Sequence, residues 1–202
     1  MTSGDDMLSH LIDALLERNQ NLPHDTVEYV IMGCGNPEAA TGHNIGRNAV
    51  VLSKLPITVG GTTVNRYCSS GLQTISMAAG QIMAGGYDTI LAGGVEQITM
   101  VQPKINMDNF VNDQINAEMP GIYFPMGMTA EVVAKRYKVA REQQDEYSLQ
   151  SQLRTAEAQE AGRYSDEIIP MKTKMLLTNK ETGEQKVVDA ECVKDECNRP
   201  ST

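Results

Sequence analysis

The chain has 202 residues, 41% hydrophobic and 21% charged, and with 4% aromatics and no Trp its core must be built from Val, Ile, Leu, Met and Ala. A net charge of −9 and a sequence pI near 4.8 exclude a polyanion such as DNA or RNA as partner, while leaving room for a small phosphorylated ligand held by helix N-termini. No apolar run has the length of a membrane span, and the polar stretch Met1 to Asp6 lacks the form of a signal peptide, so a cytoplasmic location is expected.

Met7, Leu8, Leu11, Ile12, Leu15 and Leu16 recur at helical spacing and predict a first helix, with Ser3 and Asp5 as caps. Val27 to Met32 reads as a short buried strand, closed by the turn signal Gly33-Cys34-Gly35-Asn36-Pro37. A second helix is expected from about Asn44 to Leu52, then an extended stretch from Thr62 to Arg66. Ser69 to Met83 is small, apolar and free of breakers; it predicts a tightly packed helix ending at Gly85-Gly86. Thr89 to Ala92 is a further strand, closed by Gly93-Gly94. Strand and helix thus alternate through residue 94, which implies a parallel sheet covered by helices.

From Met100 to Met128 periodicity is lost and Asn106, Asp108, Asn109, Asn112, Asp113 and Asn116 crowd together, as in a long excursion from the sheet. Two helices follow at Thr129 to Tyr137 and Arg141 to Ala161, with Gly162 as a stop signal. Glu167 to Met171, Lys174 to Leu177 and Gln185 to Val188 are expected to be extended, with a turn across Thr178 to Gly183. No internal repeat is present.

Cys68 stands where a strand runs straight into a helix, in Val64-Asn65-Arg66-Tyr67-Cys68-Ser69-Ser70-Gly71-Leu72-Gln73. A helix N-terminus offers unpaired N–H groups and the positive end of the dipole, both favouring a thiolate. The backbone N–H at such a junction is placed to face an oxyanion. Position alone leaves two readings open, a nucleophile and a small buried hydrophobe. Four cysteines (Cys34, Cys68, Cys192 and Cys197) form no CxxC pair and have no His at ligand spacing, so neither a metal site nor a disulfide framework is expected. Cys34 at a strand end is expected to be buried; Cys192 and Cys197 lie in a charged tail. His10 and His24 are expected at the surface, and His43, just ahead of the second helix, is expected to cap or cover its start.

The stretch around Cys68 resembles the nucleophile motif of the thiolase family, and so do segments elsewhere. Gly33-Cys34-Gly35-Asn36-Pro37, Asn44-Ile45-Gly46-Arg47, Ala92-Gly93-Gly94-Val95-Glu96 and Met126-Gly127-Met128-Thr129-Ala130-Glu131 match in order. Arg141 to Asp145, Gly162-Arg163-Tyr164, and Asp195-Glu196 with Arg199-Pro200 continue the match across nearly the whole chain. The resemblance implies an α/β thiolase-like fold. Residues 1–105 would be the N-terminal βαβαβ half-domain, a mostly parallel sheet between helices, lacking the family's first strand. Residues 106–202 would be most of an α+β loop domain.

It also implies acyl transfer on acyl-CoA or 3-ketoacyl-CoA thioesters through an acyl-cysteine at Cys68, whose N–H would help form an oxyanion hole. Met126 would line the acyl pocket. No cofactor is implied beyond coenzyme A thioesters as substrates. The partners implied are CoA and acyl-CoA, further copies of the chain in a dimer or tetramer, and a complementary C-terminal half. The His, Asn and second Cys that thiolases use lie on GHP, NEAF and CxGxG motifs, which this sequence lacks; a fragment or one part of a split enzyme is therefore expected. Two other readings compete: a non-catalytic thiolase-like scaffold and a ketoacyl-synthase-like enzyme. Pro125, ahead of Met126, leans the family reading toward the degradative branch.

Overall fold

A computed structural model of the chain describes residues 2–200. Its contacts fall into two compact units, Met1–Ile105 with Met171–Cys192, and Asn106–Pro170 with Val193–Thr202.

The first unit begins with helix α1 (Gly4–Arg18), whose N-terminus is closed by a reciprocal capping box. The Ser3 hydroxyl accepts the Asp6 N–H at 3.1 Å and the Asp6 carboxylate accepts the Ser3 N–H at 3.4 Å. Leu8, Ile12 and Leu16 are buried at helical spacing, but Leu11 and Leu15 of the expected apolar face are exposed. Strand β1 (Tyr29–Gly33) follows, then α2 (Ile45–Leu52), β2 (Gly60–Val64), α3 (Ser70–Met83) and β3 (Ile90–Gly94). All pairing is parallel, in the order β2-β1-β3, with Tyr29 opposite Gly60 on one side and Ile90 on the other.

Moving to one side of β1 and then crossing to the other places α2 and α3 on opposite faces when both crossovers are right-handed. Side-chain alternation along β1 agrees. Val30, Met32 and the following Cys34 join Leu8, Ile12, Leu16, Ile45, Ala49 and Val50 in one buried cluster. Gly33 points the other way, where an added Cβ would lie 2.5 Å from the Ser70 carbonyl carbon of α3. The α3 side is thus packed through small groups: Gly33, Ser70, Thr74 and Ala78, with the Thr74 hydroxyl donating to the Gly93 carbonyl at 2.9 Å.

The segment Asn44-Ile45-Gly46-Arg47 fastens α2 to β2. The Asn44 side chain caps the helix by accepting the Arg47 N–H at 3.2 Å, and it donates to the Gly61 carbonyl at 2.9 Å. The Arg47 guanidinium donates to the carbonyls of Ile57, at 2.7 Å, and Val59. The unit also contains an antiparallel hairpin of β4 (Met171–Thr178) and β5 (Gln185–Cys192). These strands run beyond the expected Lys174 to Leu177 and Gln185 to Val188, whereas of Glu167 to Met171 only Met171 lies in a strand, and Cys192 closes β5 opposite Met171.

In the second unit a short helix, α5 (Asp113–Glu118), interrupts the Asn-rich stretch, preceded in the first unit by the one-turn α4 (Ile98–Val101). The Asn112 side chain accepts the Ile115 N–H at 3.0 Å and caps α5. Helices α6 (Met126–Tyr137) and α7 (Arg141–Glu160) follow. The tail ties to α7 through Asn198, whose side chain donates to the Gln152 carbonyl at 2.9 Å. Among the described residues no helix is long and apolar enough to cross a membrane.

Candidate active site at the carboxyl ends of the parallel strands

The three parallel strands end together. The Cys34 N–H donates to the Val64 carbonyl at 3.0 Å, and the Val95 N–H to the Gly33 carbonyl at 2.9 Å. Ligands of open parallel sheets bind at this edge, outside the carboxyl ends of the strands. Cys68 lies here, four residues past the end of β2 and two before the first residue of α3.

So abrupt a reversal forces one residue out of the ordinary backbone regions. Tyr67 takes a φ of +49°, left-handed and uncommon for a residue with a side chain. Its neighbours hold it there. The Asn65 side chain accepts the Tyr67 N–H at 2.8 Å, and the Ser69 and Ser70 N–H groups donate to the Arg66 and Tyr67 carbonyls at 3.1 and 3.0 Å. The buried Ser70 hydroxyl accepts the Arg66 N–H at 2.9 Å and donates to the Tyr67 carbonyl. Ser69 occupies the N-cap position of α3 without making a side-chain cap bond. The turn leaves Cys68 a free, exposed thiol at the head of a helix.

Cys34 differs in every respect. It is 1% exposed and belongs to the core cluster on the α1–α2 face of the sheet. Burial pushes its thiol above the ordinary value; a hydrogen bond with Thr41 opposes this, and the charge of Glu96 adds to it. A thiol held protonated is a poor nucleophile, so Cys68 is the cysteine at this edge that an electrophile can reach. The reading of Cys68 as a buried hydrophobe does not fit its exposure.

One residue here escaped the sequence reading of the site. Glu96 lies just past β3, where its carboxylate accepts the Gly35 N–H at 2.8 Å and the Asn36 N–H at 3.2 Å. It was legible only as part of the Gly93-Gly94-Val95-Glu96 signature, with no hint of its partners.

The remaining sequence candidates lie elsewhere. His10 is on α1 and partly buried rather than fully at the surface, His24 is exposed in a 3-10 turn, and His43 is exposed with a φ of +58° ahead of α2. The hydrogen bonds that hold the Cys68 turn come from Asn65, Arg66, Tyr67, Ser69 and Ser70, with no imidazole among them. Cys192 and Cys197 are exposed. Met126 belongs to the second unit, where it is the first residue of α6 and 71% exposed. Among the described residues no group of three His, Cys, Asp or Glu is placed to hold a metal ion.

Comparison with known proteins gives this geometry a context. The family described as "Thiolase, N-terminal domain" matches residues 1–198. The chain is 43% identical to the 3-ketoacyl-CoA thiolase of Bacillus subtilis (strain 168), over 87% of this chain and 44% of the relative. It is 40% identical to the acetyl-CoA acetyltransferase of Chromobacterium violaceum, over 80% and 43%. To the 3-oxoadipyl-CoA/3-oxo-5,6-dehydrosuberyl-CoA thiolase of Escherichia coli (strain K12) it is 37% identical, over 98% and 51%. The chain thus spans about half the length of the curated relatives it matches. With the match running through residues 1–198, the chain belongs to the thiolase family, in the part that forms the N-terminal domain.

Proposed function

We propose that this chain supplies the nucleophile half of a thiolase-type acyltransferase acting on coenzyme A thioesters, with Cys68 as the acyl acceptor. The observation that carries this reading is the exposed thiol at the strand-to-helix turn, on the edge of the sheet where β1, β2 and β3 all end. With an acyl-CoA, the Cys68 thiolate attacks the carbonyl carbon. A bond from Sγ to that carbon forms, the carbon–sulfur bond to CoA breaks, and CoA leaves as its thiolate. The Cys68 N–H is proposed as one donor to the oxyanion formed on the way.

With a 3-ketoacyl-CoA the same attack at the ketone breaks the carbon–carbon bond: the chain-shortened acyl group stays on Cys68, and acetyl-CoA departs as its carbanion, which takes up a proton. The acid, the base and the water-holding Asn implied by the resemblance lie on motifs that this sequence lacks. A complementary C-terminal half is therefore proposed as partner, in a dimer or tetramer. Met126 is proposed to line the acyl pocket of that assembly.

A scaffold reading has one observation in its favour, the lack of an imidazole among the groups that hold the Cys68 turn. Intact-mass measurement after incubation with acetyl-CoA separates the two. The expected result is a mass gain of one acetyl group, located at Cys68 by peptide mapping and lost in Cys68→Ala. A chain that stays unmodified even with a complementary C-terminal half present, or a gain that survives Cys68→Ala, removes the nucleophile reading.

A further inference from the structure

The Cys68 turn is strained at Tyr67 and exposed, so what braces it from outside bears on how well it presents its thiol. The hydrogen bonds from Asn65 and Ser70 are local to the turn. The loop after β1 is a brace from a distant part of the chain. At Gly35 an added Cβ would lie 3.3 Å from both the carbonyl carbon and the oxygen of Tyr67, so this loop lies directly against the left-handed residue. The same Cβ would lie 2.9 Å from Glu96 Oε2. Gly35 is thus wedged between the turn and the Glu96 carboxylate, so a side chain there would displace the carboxylate and press on the Tyr67 backbone.

Glu96 ties that loop to the end of β3, beside the Cys34 N–H bond to the Val64 carbonyl of β2. Oε2 accepts the Gly35 N–H at 2.8 Å, and Oε1 accepts the Asn36 N–H at 3.2 Å and the Asn36 side-chain amide at 3.4 Å. The buried Cys34 thiol lies 3.9 Å from Oε1. Hydrogen bonds to an ionised carboxylate are the stronger kind, and two backbone donors fix its orientation. The carboxylate thereby joins the end of β3 to the loop after β1, and the loop supports Tyr67.

We propose that Glu96 is a positioning residue for Cys68: it acts through Gly35 and the Tyr67 backbone to hold the turn that presents the thiol. This rests on the reading of Cys68 as the nucleophile. The role needs two acceptor oxygens, which sets the order among variants. Glu96→Gln keeps one acceptor and turns an amide donor toward the other N–H. Glu96→Ala removes both.

The test is the rate of alkylation of each cysteine by iodoacetamide in the full 202-residue chain, resolved by peptide mass spectrometry across a range of pH. Cys68 is expected to react fastest in the wild type, several-fold slower in Glu96→Gln and slowest in Glu96→Ala, with a displaced pH profile. Cys192 and Cys197, outside this network, are expected to keep their rates and serve as internal controls. Gly35→Ala, which presses on the same contacts from the loop side, is expected to reproduce the slowing and guards against a Glu96 variant that fails to fold. Equal Cys68 rates and pH profiles in the wild type, Glu96→Gln and Gly35→Ala would overturn the proposal. So would a change that affects all four cysteines together, Cys34 included, because that reports general loosening. Alkylation does not depend on coenzyme A, so a wild type that resists acetyl-CoA even with a complementary C-terminal half present defeats the functional reading without touching this result.

Discussion

Cys34 carries a cost that depends on pH. Its thiol is buried beside the Glu96 carboxylate, and its folded-state pKa is raised, first by burial. A raised thiol pKa means that below the ordinary thiol range of about 8.5 both folded and unfolded chains hold the proton, and stability is unaffected. Above that range the unfolded chain releases the proton while the folded chain keeps it, so folding loses ground as pH rises. Wild type is therefore expected to lose more stability than Cys34→Ala between about pH 8 and 10, although the variant starts lower because of the small cavity it leaves. Urea unfolding of both proteins across that interval checks this. Parallel losses would show that the Cys34 thiol ionises as freely inside as outside.

Glycines decide how closely the elements approach, and two of them predict opposite outcomes. A Cβ on Gly46, in the first turn of α2, would lie 2.2 Å from the Thr62 carbonyl oxygen of β2. That neighbour is backbone and cannot swing aside. Gly46→Ala is expected to destabilise by about 1–3 kcal/mol through overpacking, outweighing the gain of up to about 1 kcal/mol that Ala brings to a helix. Gly80 sits inside α3 with nothing within 4 Å of its missing Cβ, so Gly80→Ala is expected to stabilise by about 0.5–1 kcal/mol. Thermal unfolding of the pair tests the packing of α2 on β2, and a neutral Gly46→Ala would refute it. Elements of this kind were largely legible in advance. The bounds of α2 and α3 follow from a capping Asn44 and from an unbroken run of small apolar residues. The helix α5 was not, because its six residues carry no apolar period and rest on the Asn112 cap. Nor was Glu96, whose contacts with Gly35 and Asn36 span about sixty positions of chain that no local pattern connects. The exposure of Leu11 and Leu15 was hidden for a related reason: helical spacing defines an apolar face without saying how much of it finds a partner.

Apolar residues are exposed on the outer sides of the helices of the first unit, at Leu11 and Leu15 of α1, at Val51 and Leu52 of α2, and most strongly along α3. On one face of the parallel sheet, α1 and α2 close over Val30 and Met32 and leave them 5% exposed or less. On the other face α3 buries Ser70, Thr74 and Ala78 against the sheet, and its outer side carries Leu72, Ile75 and Met83 at 72, 55 and 87% exposure. These positions recur at helical spacing with Ala79 and Ile82, so they form one stripe rather than scattered residues. A stripe of this kind in water binds apolar probes and is a liability for association. The chain is therefore expected to enhance the fluorescence of 8-anilinonaphthalene-1-sulfonate while keeping its native circular dichroism. The double variant Ile75→Gln, Met83→Gln is expected to lose part of that enhancement without loss of helical signal, because neither side chain supports the sheet. A wild type that leaves the dye dark, or a double variant as bright as the wild type, would place the apolar stripe under cover and overturn this account of α3. The net charge of −9 weakens binding of an anionic dye, so the comparison belongs at moderate salt, where screening reduces repulsion and leaves the apolar term dominant.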